Sequence, residues 1–500
     1  MRFLTLAASL LSISSIVCGA SNETVDSRVL LPKDFSPPQV FKHVNLVRNT
    51  NLEKGYVRET INVVVENQDK EPQSTYYIPF PSDVFGRVGG LQVRDKKDSK
   101  KTSFPVTSTE LVESDSQYFR VDFPEPLAPS SQITLSISYH ILGALNPLPK
   151  SIGQGDAQYL VYSFSAYTPS AYKTDTQKTK IKFPNSNVPD YTKTDGLKSG
   201  NDPEKQGSSI TYGPYENVAP GVSYPIQVRF ESTKPVVAAT LERDVEVSHW
   251  GGNIAFEERY WLRHEGAKLA KHFDRVDYVL QTYTNAPTSA LRELKYTLKP
   301  GSVDPYFTDD IGNVSTSRFR PGSVSDSRDA HLELRPRYPL FGGWKYSFRV
   351  GWNNDLSRFL RQLGSSSDSY ILKVPLLEGP RNSEGIQYDA VTVRIILPEG
   401  STDVAYEIPA GSPGLPHPAP PAVMSSQSIH RTYMDTRGRT VLNVFLNNLA
   451  DETRDAQIIV TYKYTVTAAL RKPLTIASAC LVVFVSVWIV GKLDVGIRKR

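Results

Sequence analysis

The sequence predicts a mainly β protein: two luminal or extracellular antiparallel β-sandwich-like domains followed by one C-terminal transmembrane helix. Three observations lead to that reading. Apolar and polar residues alternate with period two along most of the chain, the pattern of a half-buried strand. Two long uncharged apolar runs lie at opposite ends of the chain. Its 500 residues exceed the roughly 100–200 that one domain needs, so two or three domains are expected.

From the N-terminus, Met1-Arg2-Phe3 precedes an apolar stretch, Leu4 to Val17, and then Cys18-Gly19-Ala20. One positive charge, a short apolar core and small residues before the break make residues 1–20 a signal peptide. Strand alternation then appears at Val57 to Val65, Ile133 to Ile141, Ile226 to Phe230, Val245 to Val247, His331 to Arg335, Tyr346 to Val350, Val391 to Leu397 and Ile458 to Val466. Pro, Gly, Asn and Asp between these runs favour antiparallel sheets packed as sandwiches. Asp355 to Leu363 (DLSRFLRQL) is the best helical candidate, with Asp355 to cap it and Gly364 to stop it. Thr174 to Gly213, polar and poor in apolar positions, reads as a long loop, as does Ile408 to Pro421 with its six prolines. The domain junction falls near Lys234-Pro235, dividing 21–235 from 236–470. A faint repeat relates Ile133–Pro149 to Ile458–Leu474, which suits two related domains but is also how unrelated amphipathic strands look.

The second apolar run, Leu474 to Val490, spans about 26 Å as a helix, close to the thickness of a thin bilayer. Pro473 suits a first helical turn. Arg471 and Lys472 flank the run on one side and Lys492, Arg498, Lys499 and Arg500 on the other, which puts residues 492–500 in the cytosol and the anchor at 471–491. Signal peptide plus one late span describes a single-pass type I protein with its bulk outside the cytosol.

Composition removes several function classes. Lys plus Arg number 57 against 52 Asp plus Glu, a net charge of +5, so no nucleic-acid surface is indicated. The mean hydropathy of −0.34 excludes a polytopic membrane protein. Cys18 and Cys480 both lie in the terminal apolar runs, so neither a disulfide framework nor a cysteine metal site can form between them. His264-Glu265 approaches a metalloprotease signature, but Lys268 stands where the second histidine should be, and His272 is two helical turns away. Glu257-Glu258 cannot act as a glycosidase pair, because neighbouring strand residues point to opposite faces. Asp309-Asp310-Ile311-Gly312-Asn313 could offer oxygens to calcium, though a tight turn explains it better. No catalytic residue, cofactor site or metal site emerges.

Two sequons remain: Asn22-Glu-Thr24 and Asn313-Val-Ser315, both on the extracytoplasmic side, so Asn22 and Asn313 are candidate N-glycosylation sites. The aromatic turns HWGGN (His249 to Asn253) and RPRYPLFGGWKYSF (Arg335 to Phe348) could bind a peptide or sugar, or fill the end of a sandwich; packing is the commoner use.

Those turns also carry a resemblance. EVSHWGGNIAFEE (246–258), PYFTDDIGNVSTSRF (305–319) and LRPRYPLFGGWKYSFRVGW (334–352), with YGPYENV (212–218) and TDTQKTKIKF (174–183), resemble the ribophorin I family, the large single-pass subunits of the endoplasmic reticulum oligosaccharyltransferase. The resemblance covers most of the extracytoplasmic region and both apolar ends. It implies a non-catalytic subunit with two β-rich luminal domains. In such a complex a catalytic multispanning subunit transfers the preassembled glycan from dolichyl diphosphate to Asn-x-Ser/Thr. The other expected partners are small membrane subunits, against which Ala477, Ser478 and Ala479 offer a small-residue face, nascent acceptor polypeptides and the ER membrane. The family asparagine of the NVS sequon corresponds to Asn313. A type I luminal cargo receptor is the alternative, and a luminal glycosidase or peptidase a more distant one.

Overall fold

The computed structural model describes residues 29–492 apart from 33–34, 98–102, 112–115, 195, 198–201, 285–287, 365–367, 417–423, 433–434 and 436. The expected signal peptide, Cys18, Asn22, most of the C-terminal tail and the end of the Pro-rich segment lie outside the described residues.

Among the described residues two corresponding sets of fourteen strands follow one another, with four short strands, Val29–Leu31, Ser151–Ile152, Lys268–Leu269 and Gly312–Asn313, outside the correspondence. The first runs β1 (Phe41–Asn51), β2 (Val57–Asn67), β3 (Gln73–Pro81), β4 (Val88–Asp95), β5 (Val106–Leu111), β6 (Ser116–Leu127), β7 (Gln132–Ile141), β8 (Asn146–Pro147), β9 (Tyr159–Ser165), β10 (Lys173–Lys182), β11 (Asp190–Tyr191), β12 (Glu204–Gln206), β13 (Ser209–Val218) and β14 (Pro225–Glu231). The second runs β15 (Val237–Ser248), β16 (Asn253–His264), β17 (Leu294–Leu298), β18 (Val303–Asp309), β19 (Arg318–Arg320), β20 (Ala330–Leu334), β21 (Lys345–Asp355), β22 (Leu360–Gln362), β23 (Ser369–Pro375), β24 (Gln387–Glu399), β25 (Thr402–Glu407), β26 (Met424–His430), β27 (Arg439–Ala450) and β28 (Gln457–Lys463). The helices are α1 (Ser82–Phe85), α2 (Arg275–Tyr283) and α3 (Val466–Lys492).

The two sets share one topology. The first central sheet has the order β12-β13-β10-β1-β2-β7-β4 and the second β26-β27-β24-β15-β16-β21-β18, so each strand matches the one fourteen places later. Two pairs of smaller sheets obey the same rule in their shared strands: β5-β6-β3, to which Val29–Leu31 adds an edge, matches β19-β20-β17, and β11-β14-β9-β8 matches β25-β28-β23-β22. Among these strands pairing is antiparallel except where β10 lies parallel to β1 and β24 parallel to β15; the short segments Val29–Leu31, against β5, and Ser151–Ile152, against Lys268–Leu269, also pair in parallel. The internal repeat is therefore real, but it does not relate the segments the sequence suggested. Ile133–Ile141 is β7, whose counterpart is β21; Ile458 lies in β28, whose counterpart is β14. Alternation makes all such strands look alike, wherever they sit in a sheet.

Period-two alternation fixes each strand's facing. In β2, Val57, Ile61, Val63 and Val65 point inward between half-exposed partners. Glu59 shares that inward face and is fully buried, bonded to Arg48 of β1 at 2.5 Å and to Tyr139 and Tyr162. The second unit repeats the device on the equivalent strands: Arg243 of β15 bonds Glu258 of β16 at 2.5 Å and Glu378 at 2.8 Å, all in the core. Burial alone would raise the Glu59 carboxyl, yet the Arg48 charge and three hydrogen-bond donors hold it below its usual range. Glu378 is pushed up by burial, with Arg243 opposing.

One core gathers residues from Phe41 to Val236 and the other from Val237 to Ala468. Across the seam Tyr56, Leu142 and Ala450 make a small apolar contact. Around it the bonds are polar: Tyr56 and Lys54 to Asp451 (2.5 and 2.8 Å), His140 to the Asn448 carbonyl (2.9 Å), and Gln387 to both Gly143 N–H and the Gly55 carbonyl. Gly89 lets the chains meet there, since a Cβ on it would stand 1.8 Å from Asn448 O.

Three local expectations fail. Asp355 does cap a turn, accepting from Ser357 N–H at 2.8 Å, but only the 3-10 turn Leu356–Arg358 forms. The chain then extends as β22 against β23, because Phe359 and Leu360 are drawn into the core. The polar stretch from Thr174 is no loop: it supplies β10 at the middle of the first sheet and then β13. Pro473 is not in a first turn either. Helix α3 takes in the expected anchor but begins at Val466, which makes Pro473 its eighth residue.

Candidate functional site at the membrane junction

Helix α3 is the one described helix long and apolar enough to cross a membrane, and its apolar residues from Leu474 to Val490 are exposed. Its first two turns lie under the second β unit, where Ala468 is buried against the β24–β25 turn. Gly400 permits that approach: its φ is +89°, and a side chain there would meet the Ala468 Cβ at 2.9 Å.

An interior proline lacks the N–H that the carbonyl four residues earlier expects. For Pro473 that carbonyl is Ala469 O. The Trp250 indole N–H fills the vacancy, donating to Ala469 O at 2.9 Å while its ring stays 64% exposed. Thus the HWGGN turn between β15 and β16 ties the β unit to the start of the apolar helix. The neighbouring His249 packs on Tyr464 and Tyr370 and bonds Tyr462 at 2.8 Å; burial lowers its pKa to about 4, so it is neutral.

Between this turn, the end of β24, the β26–β27 hairpin and α3 lies a cavity of about 660 Å³. Trp250, Tyr464, Pro398 and Ile476 give it apolar walls, and Glu246, Glu399, Arg439 and Lys472 charge its rim. Arg439 is paired with Glu246, and Lys472 with Asp435. Although burial works against it, the Lys472 ammonium and Thr432 hold the Asp435 carboxyl down at about 2. None of this arrangement was legible from the sequence, although a proline four residues after Ala469 signals a carbonyl needing a donor.

Asn313 stands exposed in the short strand Gly312–Asn313, opposite Thr308 of β18, with Ser315 also exposed and Val314 buried between them. Asp309 shapes the turn by accepting from Ile311 and Gly312 N–H, both at 3.0 Å, and Arg337 grips both Asp309 and the Asn313 carbonyl. The tight-turn reading holds. The other aromatic turn packs: Phe341 is buried and Trp344 rests on Phe273 and Tyr338.

His264 has both ring nitrogens engaged by backbone, Nε2–H donating to Ser289 O at 2.6 Å and Nδ1 accepting from Gly266 N–H at 3.0 Å. Burial pushes its pKa down to about 4. Glu258 faces the core while Glu257 faces out to Tyr306. Among the described residues no three His, Cys, Asp or Glu gather as a metal-binding group.

The Ribophorin I family model matches residues 41–491, both β units and the membrane helix together. Dolichyl-diphosphooligosaccharide–protein glycosyltransferase subunit 1B of Arabidopsis thaliana is 31% identical across 93% of this chain and 96% of its own. Subunit 1 of Caenorhabditis elegans is 32% identical across 92% of this chain and 73% of its own. Subunit 1A of Arabidopsis thaliana is 31% identical across 90% and 70%. With a family model matched from β1 through the membrane helix and relatives above 30% identity over most of both chains, the chain belongs to the ribophorin I family.

Proposed function

We propose that this protein is a non-catalytic subunit of an endoplasmic reticulum oligosaccharyltransferase, which transfers a preassembled glycan from dolichyl diphosphate to Asn-x-Ser/Thr of nascent chains. The observation that carries the reading is the family match from the first β unit through the anchor, to relatives named as subunit 1 of that enzyme. The two β units act as luminal domains, 21–235 and 236–470, standing beside the active site of a multispanning partner and presenting acceptor polypeptides to it. The anchor, 471–491, packs against small membrane subunits through the small-residue face expected at Ala477, Ser478 and Ala479, of which Ser478 and Ala479 lie outside the junction cavity that Ala477 lines, and 492–500 faces the cytosol. The two buried Arg–Glu clusters are spent on folding, which supports a scaffold role: each charge is matched inside its own core. Mild-detergent extraction and native electrophoresis test this. The chain is expected in a large assembly with transferase activity, and its depletion to under-glycosylate reporter proteins; a lone chain of about 56 kDa whose loss left reporters fully glycosylated would refute it.

Asn313 is the glycan acceptor of this chain, and Asn22 a second by the same sequence pattern. Endoglycosidase treatment is expected to shift wild type, and N313Q to lack one increment of that shift.

A further inference from the structure

The cavity at the membrane junction is larger than the latch between Trp250 and Ala469 needs, and about 660 Å³ is the size of a small-molecule site. Its position sets what can enter. Lys472 and Trp250 lie at headgroup depth, one step before the uncharged run that starts at Leu474, while Ile476 and Ala477 line it from inside that run. An occupant must therefore be polar at one end and apolar at the other.

Charge narrows the choice. Glu246 and Glu399 balance Arg439 and Lys472 around the rim, which suits a headgroup carrying one charge of each sign, and Trp250 and Tyr464 present aromatic rings beside them. His249 stays neutral and adds no positive charge. Carboxylates with aromatic rings make a receptor for an alkylammonium group. Lys472 has three donors, and Asp435 takes one, which leaves it able to meet a phosphate. We propose that this cavity binds one zwitterionic phospholipid, its headgroup ammonium against Trp250 and Glu246, its phosphate at Lys472 and an acyl chain along Ile476 and Ala477. The lipid fills the wedge between membrane helix and β unit, so anchor and scaffold move as one body.

The site rests on α3 crossing a bilayer, not on which complex the chain joins, so it stands or falls apart from the proposed function. The test is native mass spectrometry of the full chain in its purified assembly, after exchange into nanodiscs of equal parts phosphatidylcholine, phosphatidylethanolamine and phosphatidylglycerol. One choline or ethanolamine lipid is expected to stay on the chain at collision energies that strip the rest. A477W, which blocks the acyl seat from the lipid-facing side, and E246Q, which removes a headgroup charge, are each expected to weaken retention about tenfold. The glycerol lipid retained equally well, or both variants retaining lipid as wild type does, would overturn the proposal. So would crosslinking of A477C to a neighbouring transmembrane helix with no lipid retained, which would give the cavity to a protein partner.

Discussion

Trp250 and Pro473 lie 223 positions apart and answer one another through a single carbonyl. Trp250→Phe keeps the ring at the membrane surface but removes the donor, leaving Ala469 O with neither a helical N–H nor an indole. We expect a loss of about 1–2 kcal/mol, the cost of one hydrogen bond whose acceptor goes unmatched. Pro473→Ala restores the N–H that the carbonyl lacked. In that background Trp250→Phe should cost close to nothing, because the acceptor is already satisfied. Thermal unfolding in detergent, followed by circular dichroism across the four-variant cycle, reads the coupling directly. Equal costs of Trp250→Phe in both backgrounds would show that the indole acts only by packing.

Elements with apolar inward faces were legible and those with polar inward faces were not. β2, β7 and β24 carry Val, Ile and Leu at alternate positions, so their pattern announces the sheet. β10 turns Thr174, Gln177, Thr179 and Ile181 inward, three polar residues out of four, and so reads as a loop. The fold can bury them because each makes at least one hydrogen bond: the Thr174 hydroxyl meets His43 Nδ1, Gln177 Oε1 accepts from Thr168 N–H at 3.0 Å although its Nε2 finds no acceptor, and the Thr179 hydroxyl donates to Ala166 O at 3.1 Å. Asp355 to Leu363 failed in the opposite sense, with helical spacing overridden by a strand partner and by burial of Leu356 and Phe359. Helix α2 escaped notice because its stripe of Val276, Val279, Leu280 and Tyr283 faces solvent and belongs to no core. The β10 argument has a consequence that hydrophobicity alone would reverse. Gln177→Leu adds apolar surface to a buried site yet leaves the Thr168 N–H unmet, so it should destabilise the protein by about 1–3 kcal/mol in denaturant unfolding. A stabilised variant would mean that the strand's polar interior is incidental.

For the whole molecule, the repeat explains the interior while the seam between copies decides whether the two behave as one. Most of that seam is hydrogen-bonded rather than apolar, and it contains a histidine. His140 is packed beneath Gly89 and Gly90 and beside the Tyr56 ring, with Nε2–H donating to Asn448 O. Burial lowers its pKa to about 4; the Asn448 carbonyl and Asp451 push it up, and Arg58 and Lys54 push it down. An unfolded histidine titrates near 6.5. Above that pH both states are neutral and the seam has its full strength. As pH falls below 6.5 the unfolded chain takes the proton while the folded one refuses it, so stability drains away down to about pH 4. At pH 5 the loss from this one group is about 2 kcal/mol. His43 (about 3) and His264 (about 4) are lowered by burial too and act in the same direction, so the wild-type fall with acid should be steeper than one group predicts. His140→Gln separates them, since its amide can still donate to Asn448 O but cannot titrate. The variant's thermal midpoint should drop less than that of wild type between pH 7.5 and pH 5. Identical drops would place the His140 proton outside the coupling of the two units and leave the acid response to the other buried histidines.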